Sequence, residues 1–210
     1  MRYKLLLIFF YILVYSTILA QNTPRFVVFG KVSIEDGPEE GTEIIVEKNG
    51  ILQKTIDAPR SGKFEFELEY GADYLLHFVK EGYVTKKITV NTVIPDNVIS
   101  DPQFTPHDPF EFTVSLFKQY ESINTIVYNQ PVAKIKFNQA IDDFDYDTDY
   151  SKTIKSTLDK IDEEVKQKKK EEKQLASEDE LRKKKEDEDL KRKEKELFVA
   201  RLKKEAEERK

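Results

Sequence analysis

The chain has 210 residues, with 35 Lys or Arg against 40 Asp or Glu, and no cysteine. The missing cysteine excludes a disulfide framework, a thiol nucleophile and attachment through a lipid-modified cysteine. The formal charge of −5 at pH 7, with 36% charged residues concentrated in the last third, leaves material for one compact core and argues against a basic nucleic-acid surface.

Met1 to Ala20 begins with Arg2 and Lys4, continues as an apolar run from Leu5 to Val14, and ends on the small residues Ser16, Thr17 and Ala20. That is the shape of a secretory signal. Cleavage after Ala20 would expose Gln21, with residues 21–25 as a linker. The run is shorter than the roughly 20 residues of a membrane span, so an uncleaved anchor, extended through Ala20, is the alternative. The expectation is an exported protein of the periplasm or outer membrane, touching a membrane only through such an anchor.

From Phe26 to Ile34 apolar residues alternate, and the first half is apolar on both faces, which predicts a strand. Ile44 to Glu47 and Ile51 to Ile56 flank Asn49-Gly50, a pair suited to the two positive φ angles of a type I′ hairpin turn. Phe64, Phe66 and Leu68 alternate with Lys63, Glu65, Glu67 and Glu69, one face for a core and one for water. Tyr74 to Val79 and Val84 to Val90 add two more strands, separated by Gly82. Pro95, Pro102, Pro106 and Pro109 mark a surface connection, because each removes a backbone donor. Phe110 to Leu116 gives a seventh strand, and Ile123 to Tyr128 with Val132 to Phe137 a further hairpin or sheet extension. The organisation expected is a β-sandwich over 26–117, a β extension or linker over 118–150, and a charged helix over 151–210.

No glycine or proline occurs after Pro131, and residues 151–210 hold 21 Lys or Arg and 18 Asp or Glu, a net of +3. Carboxylates precede cations by four residues at Glu164 and Lys168, Asp179 and Lys183, Glu180 and Lys184, Glu188 and Arg192, and Asp189 and Lys193. Each such pair is worth about 0.2–0.5 kcal/mol on a helix. Ile154, Leu158, Ile161 and Val165 follow coiled-coil spacing, but the seam then meets Lys168 and Glu172. An extended single helix is therefore favoured over a coiled coil, with disorder until binding as a third state.

Gly30-Lys31-Val32, Gly62-Lys63-Phe64, Gly71 with Tyr74 and Leu76, and Gly82-Tyr83 resemble the carboxypeptidase regulatory-like domain. The resemblance covers about Phe26 to Asn91, with Phe110 to Leu116 as a last strand. It implies a transthyretin-like antiparallel sandwich of about seven strands. In that family the domain accompanies metallopeptidases, outer-membrane receptors and periplasmic envelope proteins of Gram-negative bacteria, which implies folding support or contact with proteins or glycans. No catalytic domain follows the sandwich in this chain. The segment Asn129 to Tyr150 looks like a continuation seen in envelope versions.

Chemical candidates are few. His77 has Lys80 where a His-x-x-Glu zinc pair needs its carboxylate, and it falls in mid-strand, as an ordinary sandwich histidine would. His107 falls in the proline-rich connection, and no serine stands in a Gly-x-Ser-x-Gly frame. The run Asp142, Asp143, Asp145, Asp147, Asp149 invites a calcium reading. Thr148 takes the place of an EF-hand glycine and no glutamate stands at the twelfth position, so solvated aspartates with Asp149 or Ser151 capping the helix are the better reading. No catalytic, cofactor or metal site is expected.

Partner-binding candidates are Tyr83, Tyr146 and Tyr150, whose rings could stack on sugars or proteins, and Leu197, Phe198 and Leu202, an apolar cluster near the end of the charged arm. Residues 21–150 carry 12 Lys or Arg against 22 Asp or Glu, a net of −10, which favours cationic partners. The sequence thus predicts a non-enzymatic envelope protein acting as an interaction or spacer module. A carbohydrate- or peptidoglycan-binding module is the alternative. Nucleic acid is not an expected partner, and the oligomeric state is open.

Overall fold

A computed structural model describes residues 24–101 and 103–208. The expected export signal and the first part of the linker lie outside the described residues. The chain divides at Ile161 and Asp162 into two compact units.

In chain order the first unit contains β1 (Arg25–Ile34), β2 (Glu43–Lys48), β3 (Ile51–Asp57), β4 (Lys63–Glu69), β5 (Asp73–Val79), β6 (Lys86–Asn91), a short α1 (Asp96–Ile99), β7 (Phe110–Leu116), a 3-10 turn (Ile126–Asn129), β8 (Ala133–Asn138) and β9 (Asp143–Tyr146). The long helix α2 (Thr148–Glu207) begins in this unit and forms the second. The chain is mainly β, a sandwich-like pair of sheets followed by a long charged helix. One sheet has the order β4-β1-β7 and the other β3-β2-β5-β6-β8-β9.

The alternation in the sequence becomes the two sides of each sheet. Phe26, Val28, Val32 and Ile34 of β1, Phe64, Phe66 and Leu68 of β4, and Phe112, Val114 and Leu116 of β7 face inward. They form one core with Ile44, Val46, Tyr74, Leu76, Phe78, Ile88 and Val90 of the second sheet. Burial of such side chains contributes about 1.5–3 kcal/mol each, and this removal of apolar surface from water is what chiefly holds the sheets together. Asn49 and Gly50 both have positive φ, 50° and 77°, as the hairpin reading requires.

Three features differ from a plain seven-stranded antiparallel arrangement. There are nine strands among the described residues, and β1 pairs with β7, and β6 with β8, in parallel. Ile123 to Tyr128, expected as a strand, is loop and 3-10 turn, in which Ile123 and Tyr128 are buried as anchors. Ala133–Asn138 joins the second sheet across a crossover, because its apolar Ile135 finds burial beside Val90 rather than beside its chain neighbours.

Strand β3, one edge of the six-stranded sheet, carries two features that discourage further pairing. A bulge between Val46 and Glu47 disturbs its register, and inward-pointing Lys54 holds its Nζ 5.0 Å above the Phe66 ring. Burial lowers the Lys54 pKa. A bulge and an inward lysine are both devices that discourage edge-to-edge aggregation.

Gly30 lies opposite Phe64 on one side and Phe112 on the other, and a Cβ there would stand 1.9 Å from the Phe112 carbonyl oxygen. Its missing side chain lets the two rings approach to 5.4 Å between centroids. Gly30→Ala should therefore cost about 3 kcal/mol through overpacking. Gly50→Ala, at a turn with open space but positive φ, should cost about 1–2 kcal/mol. Urea unfolding followed by circular dichroism measures both, and equal losses would contradict the packing argument.

Candidate functional site

A cleft of about 490 Å³ opens where the proline-rich connection meets the turn between β8 and β9. Its construction starts from a buried threonine. The Thr92 hydroxyl donates to the Glu69 carbonyl at 2.7 Å and accepts from the Ala72 amide at 3.1 Å, which fixes the turn carrying Tyr70. The Tyr70 hydroxyl accepts the His107 backbone N–H at 3.1 Å and lies 3.3 Å from His107 Nδ1.

The His107 ring is then enclosed by aromatics. It meets Phe144 edge-on at 5.2 Å and Phe137 at 5.4 Å between centroids, with Phe104 and Tyr70 at 5.8 and 6.0 Å. Burial raises the Tyr70 pKa, reinforced by the neighbouring Asp143 carboxylate. The phenol thus remains neutral and available as a hydrogen-bonding group. A histidine expected only as part of a surface connection is instead the clasp that fastens this connection to the sandwich.

Around this floor stand four carboxylates, Asp101 and Asp108 from the connection and Asp142 and Asp143 from the β8–β9 turn. Among the described residues no Lys or Arg lines the cleft. Asp101 accepts the Gln103 amide and Asp143 accepts its neighbour Phe144, so both side chains are oriented by local backbone. A concave site of one charge sign focuses its field and favours cationic groups.

The acidic run does not converge as a unit. Asp142 and Asp143 face the cleft, whereas Asp147 caps α2, its Oδ1 accepting the Tyr150 amide at 3.1 Å while Oδ2 pairs with Lys136 at 2.8 Å. Capping by Asp149 or Ser151 is thereby corrected, and the helix starts at Thr148 rather than 151, because Asp147 is the residue whose carboxylate reaches the third helical amide. Asp149 instead pairs with Lys152 on the helix surface. Among the described residues no three His, Asp or Glu side chains are grouped to hold a metal ion.

The candidate tyrosines do not share one platform. Half-buried Tyr83 bridges to Lys118 just beyond one end of β7, with Lys80 Nζ 5.9 Å from its ring centroid. Tyr146, 39% exposed, packs edge-on against Phe110 at the opposite end of β7, about 20 Å away at the rise of a strand. Tyr150 is half-buried, donates to the Pro131 carbonyl and carries Lys134 Nζ 4.2 Å above its ring. His77 lies in β5, its Nε2 3.2 Å from Glu47 Oε1 but outside hydrogen-bond geometry.

On the second unit Leu197, Phe198 and Leu202 are 75, 62 and 49% exposed. Ion pairs run along the same helix at three- and four-residue spacing: Lys166 with Glu163, Lys168 with Glu171, Arg182 with Asp179, Lys184 with Glu180, Lys191 with Asp187 and Arg192 with Asp189. Of the pairs read from spacing, Glu180 with Lys184 forms directly. Asp179 and Asp189 choose the nearer arginine, whose planar fork suits a carboxylate. No helix among the described residues is long and apolar enough to cross a membrane.

No protein-family model matches the chain, and no curated protein matches it significantly. The cleft escaped the sequence reading because its two halves, residues 101–108 and 142–143, are brought together only by the pairing of β8 and β9 with the sheet.

Asp147 gives a pH prediction. The hydrogen bond from Lys136, and then the Tyr150 amide, hold its pKa below the usual carboxylate value. Its contribution is therefore complete above that usual value and is lost as pH falls through the lowered one. Asp147→Ala should lose about 1 kcal/mol at neutral pH, as for other N-caps. The gap to the parent protein should close on acidification. Denaturant melts at 222 nm across that range check this, and a pH-independent gap would contradict the ion-pair assignment.

Proposed function

We propose that this chain is an exported, non-enzymatic envelope protein whose sandwich engages a partner protein and whose charged arm acts as a spacer. The observation that carries the reading is a one-sign cleft on the sandwich, in a chain that continues as a long exposed helix carrying ion pairs of its own at three- and four-residue spacing. The two histidines have structural surroundings, His107 clasped by Tyr70 and aromatics and His77 set against Glu47 within a strand.

Support for the interaction role comes from Asp101, Asp108, Asp142 and Asp143, which together fit a lysine or arginine side chain, with Phe104 and His107 offering ring surface to its aliphatic stem. Support for the spacer role comes from the arm. At 1.5 Å per residue, 162–207 alone amounts to about 70 Å of helix. The resemblance to carboxypeptidase regulatory-like domains of the Gram-negative envelope favours that compartment.

The experiment is capture from an envelope extract by the parent protein and by a triple variant, Asp108→Asn with Asp142→Asn and Asp143→Asn. The reading expects a protein held by the parent and lost, by about tenfold or more, from the variant, since charged contacts govern such encounters. Equal capture, or none by either, would contradict it. Co-sedimentation with purified peptidoglycan would instead favour the sugar-binding alternative, with Tyr146 as the most open of the three tyrosines.

A further inference from the structure

The central part of the arm is complementary to itself when its direction is reversed. About the midpoint between Lys185 and Glu186, the acidic block 178–180 mirrors the basic block 191–193, and the basic block 182–185 mirrors the acidic block 186–189. On the helix Glu178, Arg182, Asp189 and Lys193 stand at spacings of four, seven and four residues. At 100° per residue they fall within about 60° of one another, a single exposed stripe.

Read forward the stripe runs minus, plus, minus, plus, and read backward it runs plus, minus, plus, minus. Two antiparallel copies therefore place Glu178 opposite Lys193 and Arg182 opposite Asp189, each contact made twice by the two-fold symmetry. A parallel in-register pair would set every charge against its own kind. Arg182 and Asp189 each have one intrahelical partner, Asp179 and Arg192, whereas Glu178 and Lys193 have none among the described residues. We propose that the arm is a self-association surface whose partner is a second copy of this chain, joined antiparallel through Glu178, Arg182, Asp189 and Lys193.

This pairing is independent of what the sandwich binds. Since exposed ion pairs are individually weak and screened by salt, the dimer forms at high protein concentration and low ionic strength. It is not a coiled coil: the stripe has no continuous apolar seam, and its charges set the register and direction.

The test is sedimentation velocity of the full chain in about 50 mM and about 500 mM salt, spanning more than one Debye regime. The parent, Arg182→Glu, Asp189→Arg and the double variant carrying both are compared. The parent should dimerise at up to roughly millimolar concentration and dissociate in high salt, as expected for exposed pairs. Each single reversal should weaken the dimer about tenfold or more, and the double variant should restore it to within about threefold, because the two sites face each other.

Circular dichroism at 222 nm separates loss of pairing from loss of helix. Because the chain has no cysteine, Glu178→Cys and Lys193→Cys proteins can be mixed for disulfide trapping, and the heterodimer should form in preference to either homodimer. A parent that stays monomeric, a double variant as dissociated as the single ones, or preferential trapping of Glu178→Cys with itself would overturn the proposal. A dimer indifferent to all reversals would also overturn it, by assigning association to another surface.

Discussion

The carboxylate of Asp147 is where two kinds of stabilisation meet. One oxygen closes the first turn of α2 through the Tyr150 amide and the other holds Lys136 of β8. Chain upstream of it is organised by burial of alternating apolar residues, and the helix from Asp162 onward by charge spacing along its own surface. The cap sets where the helix begins, and the turn of about 100° per residue then decides which side chains share each stripe farther on. The same strand pair that presents Asp147 also presents Asp142 and Asp143, so the cleft and the helix origin are two products of one short β8–β9 ladder.

That ladder explains what the sequence made legible and what it did not. Alternation revealed β1, β4 and β7, and Asn49-Gly50 revealed the β2–β3 hairpin, because each signal is contained within a few neighbouring residues. Glycine-free, proline-free and charge-rich composition revealed the helix for the same reason. The parallel pairing of β6 with β8 left no local mark, since its partners are separated by more than forty residues. β9 has four residues, too few for a periodicity to separate it from an acidic loop. The cleft joins two such unmarked segments and is therefore visible only once the sheet is assembled.

Aromatic side chains show how the same residue type divides between roles. Phe64, Phe78 and Phe112 form the middle of the sandwich, where removal of water supplies the stabilisation. Phe104, Phe137 and Phe144 enclose His107 at one rim, and this converts a proline-rich connection into a fixed wall of the cleft. Tyr146 and Tyr150 bracket the cap, one against Phe110 and the other against Pro131 and Lys134. The tyrosines that the sequence offered as partner-binding candidates thus divide among separate structural tasks.

The central claim is that burial holds the sandwich while a charge ladder holds the arm. Hydrogen exchange followed by mass spectrometry at about 50 mM and about 500 mM salt tests it most directly, since salt screens exposed ion pairs and leaves apolar burial nearly untouched. Amides of residues 166–200 should exchange faster at the higher salt, while those of β1 and β5 keep their protection. Salt-insensitive protection along the arm, or equal acceleration in both units, would contradict the account.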